Sequence, residues 1–153
     1  MKRLKITILF LIINFIGLAI GNWFMNDGPS TNWYINLNKA PWNPPGWVFG
    51  FAWTLIMVTF SIYLGKLLLK ENTFRNRFIF LIQFLLNVSW NFIFFNKHWV
   101  FLGLINLILL TSLIFIYFFK VSSNLQKERY LLLPYALWLC VATSLNLYIL
   151  IHN

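Results

Sequence analysis

The amino-acid sequence predicts an all-α integral membrane protein, a five-transmembrane-helix bundle forming a single domain over residues 1–153. Three observations carry this expectation. Sixty per cent of the residues are hydrophobic and only 10% are charged, against roughly 25% charged in a soluble domain. Five apolar runs approach the length of about 20 residues that a spanning helix needs. The basic residues do not form one face but sit in short clusters between those runs.

The first run, about Leu4–Phe24, follows Lys2, Arg3 and Lys5. That basic start, with Ala19-Ile20-Gly21 at the far end, has the outline of a cleavable signal sequence. Its length suits a span better than the shorter apolar core of such a signal. A loop over 25–45 follows, carrying Trp42 and the prolines Pro41, Pro44 and Pro45. The remaining runs are Gly46–Leu69, Phe78–Phe95, Trp99–Phe119 and Tyr130–Ile151, joined by short connections. The polar stretch Glu71–Arg77 is too short to divide the chain into domains. Unpaired sheet edges cannot lie in hydrocarbon, so each run is expected to be helical.

Five spans place ten Lys and Arg residues on the side of the N-terminus and two, Lys39 and Lys97, on the other. The positive-inside rule then puts the N-terminus in the cytoplasm and the C-terminus outside, as in a bacterial plasma membrane. The 25–45 loop is expected on the outer side. The net charge of +9 therefore reads as membrane anchoring. A nucleic-acid partner is not expected, because no basic face with interleaved stacking rings is present. The single cysteine, Cys140, lies in an apolar run and allows no intrachain disulfide.

Polar groups inside spans are costly and normally face the bundle interior. In the third span Gln83, Asn87 and Asn91 recur every four residues, with Trp90 three after Asn87. That spacing predicts one helix face. The fifth span repeats the pattern with Tyr135, Trp138, Ala142 and Asn146, and the second aligns Phe49, Trp53 and Met57. Three stripes facing one another would line an apolar, ring-walled pocket with a few hydrogen-bonding groups, suited to a flat aromatic or sterol-like ligand. Each residue alone has a plainer use, since Trp and Tyr mark membrane interfaces and Asn joins helices. The pairs Gly17/Gly21 and Gly46/Gly50 have the spacing of close helix contacts and offer a surface for a homodimer.

Asp27, Glu71 and Glu128 are the only acids, and all lie outside the spans. Ion pumping, channel gating and voltage sensing use intramembrane charge, so these classes are disfavoured. His98 and His152 stand at a loop and at the tail, and no metal-ligand cluster or nucleophile–base arrangement emerges. Neither a metal nor a resident cofactor is expected.

Several segments, taken in order, resemble the TspO/MBR family. Trp42-Asn43-Pro44-Pro45 with Gly46, Phe49 and Trp53 resembles that family's WxPP…F…W segment. Leu86-Asn87, Trp90 and Phe94-Phe95 resemble its third-helix pattern. Pro134-Tyr135, Trp138, Ala142-Thr143 and Leu145-Asn146 resemble its fifth helix, and Trp33-Tyr34 stands where the family keeps a Trp-Tyr pair in its first loop. The resemblance covers essentially the whole chain. It implies a five-helix bundle, often dimeric, that binds porphyrins, sterol-like lipids and synthetic aromatic ligands in a pocket opening toward the first long loop. It also implies that some members degrade protoporphyrin in light by means of pocket tryptophans. By position Trp53 and Trp138 match those tryptophans, while Tyr34, Pro44, Asn87, Trp90 and Ala142 match pocket-lining positions. Two departures stand out. No Lys or Arg follows Tyr148, so the family's sterol-recognition pattern is incomplete, and the third span has no glycine for a close-packed dimer seam.

These readings together suggest a rigid loop over the pocket mouth, because proline fixes φ. Lys39 and the N-terminus of the second span would then meet a porphyrin's propionates. The expected function is a porphyrin-binding sensor or regulator. The alternatives are a light-dependent protoporphyrin-degrading enzyme using Trp53 and Trp138, a porphyrin or lipid transporter, and a span protein without a ligand.

Overall fold

The computed structural model describes residues 2–121 and 125–153. Met1 and residues 122–124, part of the single domain expected over 1–153, lie outside the described residues. The chain forms α1 (Lys2–Met25), a 3-10 turn (Gly28–Ser30), α2 (Asn32–Asn36), α3 (Gly46–Lys70), α4 (Phe74–Asn91), a π-helical turn (Phe92–Asn96), α5 (Val100–Phe119), a second 3-10 turn (Glu128–Leu132) and α6 (Leu133–His152). Among the described residues, five helical segments are long and apolar enough to cross a membrane. They coincide with the five predicted spans to within a few residues.

Local chemistry sets the boundaries. Thr73 starts α4 by accepting from the Asn76 N–H at 3.2 Å, and Thr31 starts α2 by accepting from the Tyr34 N–H at 3.3 Å, the usual hydroxyl cap. Pro45 sits immediately before α3 and Pro134 within the first turn of α6, where a missing N–H costs nothing.

The five long helices close a ring in the order α1, α3, α6, α5, α4. Around it, α1 buries Phe10, Asn14, Gly17 and Gly21, the face its spacing predicts. An added Cβ at Gly17 would strike the Phe84 ring, and one at Gly21 would lie 2.9 Å from Asn91 Nδ2. These two glycines therefore set the close approach of α1 to α4. Gly46 and Gly50 have nothing within 4 Å of such a Cβ. Their spacing packs no helix within the chain.

The ring interior is filled, not hollow, toward the basic end. Phe60, Tyr63, Tyr117 and Tyr135 are fully buried. Their rings meet edge to face, Tyr63 on Tyr117 at 5.9 Å and Phe60 on Tyr135 at 5.4 Å, a favoured aromatic geometry. Polar joints cross the seams: Asn14 Nδ2 donates to Ser61 Oγ at 2.8 Å, and Asn106 Nδ2 to Ser89 Oγ at 2.9 Å. The second 3-10 turn lies along the basic half of α3, where Lys66 and Glu128 pair at 3.5 Å.

Candidate functional site

The candidate site occupies the loop-side half of the ring. At its floor, Tyr135 of α6 reaches across to α4. Its hydroxyl oxygen accepts from Gln83 Nε2 at 2.8 Å and from Asn87 Nδ2. Gln83 and Asn87 lie one turn apart, which is what lets two amides converge on one oxygen. Above this, the Trp53 ring lies 6.1 Å from Tyr135 at 72°, and Phe49 stands edge-on to Trp138 at 5.1 Å and 89°. Met57 is buried one turn below Trp53, in the main core.

The opposite wall begins at Trp90. Its Nε1–H donates to Asn146 Oδ1 at 3.3 Å, while Asn146 Nδ2 donates to the Val100 carbonyl at 2.9 Å. Trp90 stacks on Phe94 at 4.9 Å and 13°. The π-helical turn at Phe92–Asn96 adds a residue to the helical turn, and Phe94 within it is nearly fully buried. Such turns inside helices recur at functional sites. Ala142 is half-buried and packs against the core from α6.

Asn91 departs from the predicted stripe. It lies against Gly21 of α1, away from the face shared by Trp90 and Asn146. Steps of four residues advance 40° per step on a helix of 3.6 residues per turn, so the stripe that begins at Gln83 drifts toward α1 by Asn91.

The 25–45 loop closes the ring's end and is fastened at two places. At one, Trp33 of α2 stacks on His98 at 4.0 Å and 13° and meets Phe94 at 5.5 Å. Tyr34 lies against Phe94 and Phe95. Burial pushes the Tyr34 hydroxyl above its usual range, so it remains a neutral phenol at physiological pH. At the other, Asn38 N–H donates to Asn153 Oδ1 at 2.9 Å, Asn38 Nδ2 to the His152 carbonyl at 3.1 Å, and Asn153 Nδ2 to the Asn38 carbonyl at 3.3 Å. Trp42 Nε1–H donates to Ser144 Oγ at 3.2 Å, and its ring meets Tyr148 at 5.5 Å. Lys39 Nζ donates to the Ile35 carbonyl at 3.0 Å and stands 4.7 Å from the centre of the Tyr34 ring. Pro44 is half-buried in the segment entering α3.

Chemically the site holds π faces, amide donors and acceptors and one interior phenol. Among the described residues no three His, Cys, Asp or Glu side chains group to hold a metal ion. The sequence pattern places Gln83 in a pocket-facing stripe without giving it a ligand contact, and it leaves out Trp33, Phe94 and His98 as site residues. Gln83 was visible in the α4 stripe, and Phe94 in the doubled phenylalanine after it. The Trp33–His98 stack carries no sequence signal, since the two residues lie on different loops.

The chain matches the family model described as the TspO/MBR family over residues 9–152. It is 34% identical to the Tryptophan-rich protein TspO of Archaeoglobus fulgidus, covering 100% of this chain and 99% of the relative. It is 28% identical to the Tryptophan-rich sensory protein of Cereibacter sphaeroides, covering 74% of this chain and 72% of the relative. It is 29% identical to the Translocator protein of Homo sapiens, covering 86% of this chain and 80% of the relative. With a matching family model over nearly its whole length and five helices able to cross a membrane, the chain is an integral membrane protein and belongs to the TspO/MBR family.

Proposed function

We propose that this protein binds a porphyrin-like tetrapyrrole among Phe49, Trp53, Trp90, Tyr135, Trp138 and Asn146 and acts as a membrane sensor or regulator. The observation that carries the reading is the composition of the loop-side interior. Three helices contribute large rings there, and the polar groups among them are neutral amides and a phenol. A flat apolar macrocycle gains from ring contact and area burial, and its pyrrole nitrogens find hydrogen-bonding partners. The macrocycle's carboxylates would stay at the loop end, where Lys39 and the first-turn N–H groups of α3 supply positive charge. Tyr34, Pro44, Asn87, Ala142 and Met57 are the further contacts proposed for the ligand, while Asn91, set against Gly21 of α1, is left out. The charge distribution between the spans supports a cytoplasmic N-terminus.

The test is a dark titration with protoporphyrin IX, following tryptophan fluorescence. Saturable quenching that weakens on Trp138→Phe supports the reading; absence of saturable quenching overturns it. A second reading, light-driven degradation of the porphyrin, is supported by Trp53 and Trp138 themselves, oxidisable side chains in ring contact with Tyr135 and Phe49 within the proposed site. Illuminating the same sample separates the two. Soret loss that requires Trp53 or Trp138 supports the enzyme, and a stable Soret band supports the sensor.

A further inference from the structure

We propose that the aromatic site is reached sideways from the bilayer, through the seam between α3 and α6, and not from water beneath the 25–45 loop. The inference rests on the proposed binding of a flat apolar ligand and adds its route.

Three observations carry it. First, α3–α6 is the most thinly packed of the five seams of the ring. The 3-10 turn before α6 packs along the basic half of α3, so the thin part is the loop-side half. Second, this seam carries a groove of about 280 Å³, lined by Val48, Phe51, Ala52 and Leu55 from the loop-side half of α3 and by Leu137 and Trp138 among others from the first half of α6. The groove lies between two spanning helices and is lined by apolar side chains. Leu55 stands nine residues into α3, about 14 Å below its start at the helical rise of 1.5 Å per residue. The occupant at that depth is hydrocarbon: an acyl chain of the surrounding bilayer, exchanged for the ligand in transit. Third, Trp138 is only 8% exposed and belongs to the groove's lining, so the groove meets the proposed site at one of its own walls. Phe51 and Leu137 at the rim are 63% and 66% exposed and are free to change rotamer against fluid chains.

The loop presents the opposite case. Lifting it breaks the three hydrogen bonds between Asn38 and the 152–153 tail and the Trp42–Ser144 bond. It also separates Trp33 from His98. Opening the seam parts ring contacts such as Phe49–Trp138, which the macrocycle's own faces replace. A flat apolar molecule is already concentrated in the bilayer by the hydrophobic effect. Because the groove begins at Val48, near the loop end of α3, a porphyrin sliding in edge-first keeps its carboxylates at the interface throughout.

The test measures protoporphyrin IX association by Soret shift, in stopped flow, with the full chain in nanodiscs. One variant narrows the groove rim, Leu55→Phe with Leu137→Phe. Another fastens the loop through a disulfide between Asn38→Cys and Asn153→Cys in a Cys140→Ser background. The expected result is about tenfold slower association and dissociation in the rim variant, as for binding that waits on a conformational step, with Kd unchanged. An unchanged Kd also certifies that the variant is folded; a rim variant that loses affinity is replaced by Leu137→Phe alone. The oxidised loop variant is expected to keep the parent rate. Slowing by the loop disulfide, or no slowing by the rim substitutions, overturns the lateral route. Absence of saturable binding to the parent chain instead removes the porphyrin reading itself.

Discussion

Tyr135 shows how much one oxygen organises. Two amides of α4 donate to it across the ring, and its own ring is held by Phe60 and Trp53. Tyr135→Phe keeps the packing and removes the acceptor, leaving two donors in a dry interior. A buried polar group without its partner costs about 1–3 kcal/mol, while average hydrogen bonds inside membrane proteins measure nearer 0.6 kcal/mol. A lower melting temperature in nanodiscs is expected, with part of the loss recovered when Gln83→Leu is added. An unchanged melting temperature would mean that the amides find other partners. The α4 stripe was legible in the sequence because amides are rare inside spans. Its partner was not legible, because the step from Gln83 to Tyr135 crosses 52 residues and depends on the order of helices in the ring.

At the scale of the element, α3 carries glycines of opposite meaning. A Cβ on Gly65 would run into Thr7 of α1, with the Thr7 Cα at 3.2 Å, so the helices must separate to admit it. Gly65→Ala is expected to destabilise by about 1–3 kcal/mol through overpacking. Gly50 meets nothing within 4 Å, and Gly50→Ala should stabilise by about 0.5–1 kcal/mol, the helix-interior cost of glycine. Thermal melts of both variants check the contrast; equal signs would refute it. The span boundaries were readable from apolar length alone, since the bilayer fixes how long a spanning helix must be. The π-helical turn was not readable, because it inserts a residue without altering composition. The loop's fastenings were not readable either, since Asn38 and Asn153 are 115 positions apart. Substituting Asn38→Ala and Trp42→Phe with Trp33→Ala should loosen both fastenings of the loop. Amide exchange between residues 32 and 43 is then expected to quicken while the long helices stay protected. Exchange rising equally throughout would show that the loop is part of the bundle's stability and not a separate cover.

For the whole molecule, the division into two halves links stability to ligand. The basic half is closed by fully buried rings at Phe60, Tyr63 and Tyr117, while the loop-side half has a thin seam and a groove. A ligand that fills the second half adds contacts where packing is weakest and has no counterpart in the unfolded chain. Mass action then stabilises the native state by about 2.7 kcal/mol at a ligand concentration one hundred times Kd. Protoporphyrin IX is therefore expected to raise the melting temperature in a concentration-dependent way, and exchange should slow most over the first halves of α3 and α6. Trp138→Phe should reduce that rise, measured from the variant's own ligand-free melt, because Trp138 is a buried core ring in edge contact with Phe49 and also lines the groove. Should the porphyrin raise the melt equally in the Trp138→Phe and parent chains, the stabilisation would come from the lipid-facing surface, and the loop-side interior would be a packing core alone.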